Sequence, residues 1–265
     1  MITAASELRH RLRFGLWTAL LRLQLRRRGA RLVLDAPHGA RLDGFPHLDV
    51  WPAGTGDATL TLRLGRGVSL GRATHLDVLA GGTNLLELGD GAYLQHGVRL
   101  QLRGGTIALG PHTHVRDGAV LKSAGELRVG EEVTVSFGDV LACTERVEIG
   151  DLVGLGERVT ITDSDHTHDG SQAHYLRQPL RVAPVRIGRN VLVSANVVVL
   201  RGADVGAGSV IAAGAVVGAG EHPGGWLLAG APAQPVRALA QRGMATTRGR
   251  EPDQASSPRA PDDGG

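Results

Sequence analysis

Residues 185–217 read VRIGRNVLVSANVVVLRGADVGAGSVIAAGAVV, and this stretch decides the architecture. Ile187, Val193, Val199, Val205, Ile211 and Val217 follow one another six residues apart without a break. Six fits neither the ~3.6-residue repeat of a helix nor the alternation of a strand. It fits a coil of three short strands, in which each hexapeptide supplies one strand and one corner. The aliphatic side chain then points inward and stacks on its counterpart ~4.8 Å away in the next coil. Ala195, Gly202, Ala207, Ala213 and Gly214 supply small groups for the corners. Each stacked aliphatic contributes roughly 1.5–3 kcal/mol of burial, and a polar group at Val199 would weaken neighbouring coils as well as its own.

The same pattern extends upstream. Aliphatic-Gly pairs recur at Leu88-Gly89, Leu109-Gly110, Val129-Gly130 and Ile149-Gly150, and return at Ile187-Gly188 and Val205-Gly206. Leu64, Leu70 and Leu76 carry the six-residue spacing further back, so the spacing predicts a parallel β-helix over 59–230. One insertion breaks it, at 163–182, which is polar and holds His166, His168 and His174. Solenoid insertions fall on the surface and often carry the functional groups.

Residues 1–58 read as a helical and irregular segment. Leu8, Leu12, Leu16, Leu20 and Leu23 have helical spacing, with arginines between them. Two readings stay open for that helix: a cover for one end of the solenoid, or a membrane-surface helix anchored by Trp17 and Arg26 to Arg28. A short helix is expected over 231–244 and a disordered tail over 245–265, which is nearly devoid of apolar residues.

Composition narrows the function. Glycine supplies 39 of 265 residues, about twice its usual share, which suits repeated tight corners and argues against sandwiches and bundles. A single cysteine, Cys143, excludes an internal disulfide framework and a multi-thiolate metal site within one chain. The net charge is only +3 and dilute through most of the chain, so no nucleic-acid partner is expected. No apolar run is long enough for a transmembrane helix. The arginine-interrupted start does not read as a secretory leader, and the expected location is cytoplasmic, with the inner membrane surface as the alternative site of action.

The stretches 185–217, LLAGAPAQPVRAL (227–239) and IGDLVGLGERVTITDSDH (149–166) resemble the hexapeptide-repeat acyltransferases. The nearer likeness is to the branch of galactoside and maltose acetyltransferases and surface-glycan O-acetyltransferases. The resemblance implies an all-β, left-handed parallel β-helix. It implies a homotrimer with sites between neighbouring subunits, acetyl-CoA as acyl donor, and a sugar or glycan hydroxyl as acceptor; no metal is expected, because His166, His168 and His174 share one loop.

It also implies that His166 is the general base, a role for which imidazole suits because its ordinary pKa lies near ~6.5. Asp163 and Asp165 are the nearby carboxylates that could orient it. On an extended run they share a parity that His166 does not, so pairing requires a bend. Ser136 takes the place of an asparagine that orients the acceptor in galactoside-type relatives. Ala195 and Ala213 match CoA-contact positions at which small side chains admit the pantetheine arm. The relatives' Thr-Lys pair after the final valines is Gly218-Ala219 here, which leaves Arg201 or Arg237 to bind CoA phosphate. Two other readings use the same fold: a zinc carbonic anhydrase, or a scaffold without catalysis.

Overall fold

The computed structural model describes residues 4–52, 58–80 and 82–240. A helix, α1 (Ala4–Arg27), leads into a β-solenoid with three parallel sheets as its faces. Coil 1 sets the order: Ala30–Asp35 on face one, Arg41–Leu42 on face two and His47–Pro52 on face three. The faces hold nine, ten and eight strands, which makes about eight full turns and the start of a ninth.

The hexapeptide spacing maps directly onto this geometry. Ile187 sits on face one, Val193 on face two, Val199 on face three, and Val205 returns to face one, in register with Ile187. None of Ile187, Val193, Val199, Val205, Ile211 and Val217 is more than 1% exposed. The aliphatic-Gly pairs end the strands of face one, where the next coil leaves no room for a side chain. A Cβ on Gly150 would stand 2.8 Å from the Arg189 nitrogen, and one on Gly188 2.7 Å from the Ala207 nitrogen. Between faces one and two each coil also needs a left-handed residue. His112, Glu132, Leu152 and Asn190 fill this position in successive coils, with φ of 53°, 53°, 57° and 54°. Each donates its backbone N–H to a carbonyl of the preceding coil, which holds the column together.

The solenoid starts at Ala30, not at residue 59. Leu32, Leu42 and Leu48 of coil 1 lie in register with Leu60, Leu70 and Leu76 of coil 2. The hexapeptide signal is present there as Ala36, Leu42 and Leu48, but Ala36-Pro37 replaces the aliphatic-Gly pair that marks later coils.

The expected helix over 231–244 is absent from its described part. Trp226–Gly230 and Ala233–Ala238 form an antiparallel hairpin instead. Pro232 and Pro235 oppose a helix, and the last strand of face two has an open edge whose backbone groups the returning strand pairs. Residues 241–244 and the expected tail, 245–265, lie outside the described residues.

Helix α1 packs on all three strands of coil 1. Phe14, Trp17, Leu21 and Leu25 are its buried side. The leucine row read from the sequence faces the other way, and Trp17, 5% exposed, belongs to the core rather than to an interfacial anchor. No described helix is long and apolar enough to cross a membrane.

Candidate active site

The insertion leaves the solenoid after the face-three strand of coil 6, Thr160–Thr162. It runs out through Ser164–His166, turns through a short 3-10 segment at Tyr175–Arg177, and returns through Leu180–Val182. The two strands pair antiparallel, with His166 opposite Leu180. The result is a two-stranded arm that carries His166 clear of the spiral.

The His166 side chain is exposed and lines a cleft of about 410 Å³. Its floor is formed by the short outward side chains of Thr162 and Ala142, in register on face three, with Lys122 next in the column. Arg103, Lys122 and Gln101 close the far end, and the arm strand forms the near wall. The sequence reading missed these three residues. The available signal was strand parity, since each lies one place from a buried leucine of its strand, Leu100, Leu102 or Leu121. A second cleft shares Gln101 and Arg103 and continues down face three to Asp77 and Trp51. A third begins at Trp51 and ends against Arg27 and Arg28 of the α1 end. Successive clefts from His166 towards coil 1 therefore share lining residues.

Tyr175 meets the His166 ring edge-on, with centroids 5.3 Å apart. Neither expected carboxylate orients the imidazole. Asp163 is fully buried and accepts three backbone N–H groups, from Thr144 at 2.7 Å, Glu145 at 2.7 Å and Arg146 at 2.8 Å. It ties the foot of the arm to the corner of coil 5, and all its proximity to His166 is along the chain. Asp165 lies 2.9 Å from Arg201 Nε, an ion contact off the line of a hydrogen bond. Arg201 therefore pins the arm.

Cys143 also borders the cleft, but burial pushes its thiol up to about 11, with the Asp163 charge adding to the effect. It is a neutral thiol at physiological pH and no nucleophile. His168 and His174 cap local turns, each accepting through Nδ1 from a backbone N–H two residues on. Among the described residues, metal-type donors converge instead at His47, Asp49 and His75 on coils 1 and 2. The three loop histidines do not gather around one point.

The remaining expected site residues occupy other places. Ser136 follows face two in coil 5 and is 4% exposed. Ala195 and Ala213 follow face two in coils 7 and 8. These three share the corner between faces two and three, whereas His166 emerges beyond face three. None of them lines the His166 cleft. Ala195 makes a corner contact of the expected kind: its carbonyl accepts from the Gly214 N–H at 3.0 Å, and its nitrogen crowds Gly156. Arg237 is exposed on the final strand, opposite Leu227.

Residues 184–219 match the family described as bacterial transferase hexapeptide (six repeats). The match falls on the repeat, the stretch that carries the sequence resemblance. No curated protein matches the chain. Among solved structures, a hexapeptide-repeat-containing acetyltransferase from Vibrio cholerae is 24% identical, with 58% of this chain and 74% of that one covered and a TM-score of 0.40. A maltose O-acetyltransferase from Clostridium difficile is 20% identical over 59% and 67%, with a TM-score of 0.34. An N-acyltransferase from Bacillus cereus, in complex with dTDP and coenzyme A, is 12% identical over 59% and 78%, with a TM-score of 0.43.

Proposed function

We propose that the protein is an acetyl-CoA-dependent O-acetyltransferase acting on a sugar or glycan hydroxyl, with His166 as general base. The observation that carries this reading is the arm, which holds an imidazole at the mouth of a cleft floored by Ala142 and Thr162. The acceptor oxygen attacks the thioester carbonyl while the imidazole takes its proton. The C–S bond breaks, and the proton passes to the departing CoA sulfur. Proton transfer of this kind is worth about 10²–10⁴-fold in rate. Arg103 and Lys122 at the end of the cleft and Trp51 further along suit an extended, hydroxyl-rich acceptor more than a lone small sugar. An exposed aromatic face and a few cations can hold such a chain at several points.

We assign the donor to the corner of Ala195 and Ala213, whose small side chains match the positions at which the resemblance places the pantetheine arm. That corner and Ser136 lie apart from His166 within one chain, so the reading includes a homotrimer, in which the arm of one subunit meets the corner of the next. It also includes the left hand of the spiral, the form in which the family builds such sites. Asp165 and Arg201 then serve as arm positioning residues, and Arg237, exposed on the final strand, takes the CoA phosphate.

The test is transfer of radiolabelled acetyl from acetyl-CoA to a panel of mono- and oligosaccharides. We expect transfer by the wild type and a loss of about 10²–10⁴-fold in His166→Ala, with an unchanged melting temperature because the side chain is exposed. Equal rates in the two proteins would remove His166 as the base.

A further inference from the structure

Helix α1 has two apolar sides, and the solenoid uses only one. Phe14, Trp17, Leu21 and Leu25 are buried on coil 1, while Leu8, Leu12, Leu16, Leu20 and Leu23 are 46–66% exposed. At ~100° per residue the two sets lie on opposite sides of the helix. Packing on the end of the spiral therefore turns the leucine row outward, along ~22 Å of helix. Such a row on a terminal helix does not arise from core packing, which Phe14, Trp17, Leu21 and Leu25 already satisfy.

Charge indicates what covers it. Between Glu7 and Asp35 the chain has no acidic residue, but it has Arg9, Arg11, Arg13, Arg22, Arg26 to Arg28 and Arg31. Helical spacing puts Arg9 and Arg27 on one side of the leucine row, and Arg11 and Arg22 on the other, while Arg13 turns back and donates to the Leu42 carbonyl at 3.4 Å. A second copy of the helix would set arginines against arginines. A surface with apolar depth and anionic groups at its rim complements both features at once.

We propose that the Leu8–Leu23 row of α1 docks into the interface of an anionic lipid bilayer, with the helix lying flat and the flanking arginines on the headgroups. The end of the spiral next to coil 1 then faces the membrane. The proposal does not depend on the acetyltransferase reading, because it concerns the helix alone.

Flotation of the full-length protein with vesicles tests it, using phosphatidylcholine alone and an equimolar mixture of phosphatidylcholine and phosphatidylglycerol. The expected result is binding to the mixed vesicles that weakens with added salt. Binding should fall by about tenfold or more in the Leu12→Glu/Leu16→Glu double variant, whose circular dichroism and melting temperature match the wild type. Failure of the wild type to float with mixed vesicles overturns the proposal, as does undiminished binding by the double variant. Light scattering adds a third outcome: an assembly that the double variant dissociates, with no vesicle binding by the wild type, would assign the row to a second copy and overturn the membrane.

Discussion

Asp139 is wholly buried at a corner of coil 5, where its carboxylate accepts from the Ser136 N–H at 2.6 Å and the Val159 N–H at 2.8 Å. Burial outweighs those two hydrogen bonds and pushes its pKa up to about 6. The folded chain thus holds this proton more tightly than the unfolded chain. The resulting stabilisation is full in acid, below the ordinary carboxylate range, and is lost as pH rises through about 6. Asp139→Asn removes this titration. Denaturant unfolding of both proteins at about pH 4 and about pH 8 should show the balance moving in favour of the variant by about 1–3 kcal/mol at the higher pH. A constant difference would show that Asp139 does not titrate in that range.

Among elements, legibility in the sequence followed how many physical demands fell on each residue. The coils answer to one demand, stacking, so Ile187, Val193 and Val199 announced them by spacing alone. Coil 1 was hidden because Ala36-Pro37 lacks the aliphatic-Gly mark, although Leu42 and Leu48 kept the period. Helix α1 was legible as a helix but not by face. Two apolar stripes satisfy helical spacing equally well, and only the packing of Phe14, Trp17, Leu21 and Leu25 shows which one meets the solenoid. Residues 233–238, placed by the sequence in a short helix, form a strand because the open edge of face two takes one up. The site was legible at His166, which the resemblance located, and illegible at its cleft. Lys122 and Arg103 come from coils upstream of the matching stretches, and only the register places them there.

The arm shows the same division. Asp163 looked like a partner for His166 and is instead the fastening of the arm to coil 5. Asp163→Ala takes the buried acceptor away from three backbone N–H groups and should cost about 1–3 kcal/mol in chemical denaturation. Acetyl transfer, where it is measured, should fall as well because the arm loses its foot. An unchanged unfolding midpoint would show that those N–H groups find other partners.

At the scale of the molecule, the solenoid has two ends that differ from its middle. Removing residues 1–28 uncovers the strands and core side chains of coil 1 that α1 covers, Leu42 and Ala30 among those buried. Static light scattering should then show growing aggregates where the intact chain gives a discrete species. A truncated chain that stays discrete and keeps its melting temperature would show that coil 1 needs no cover.

A repeat that stacks on itself contains no instruction to stop. Coils 2 to 8 all join their neighbours by the same parallel pairing, and a bare coil could accept another molecule's coil as it accepts its own. The hairpin of Trp226–Gly230 and Ala233–Ala238 occupies the edge of face two at one end, and α1 covers the other. Together they act as terminators, which set the length of the spiral and keep it from becoming a filament.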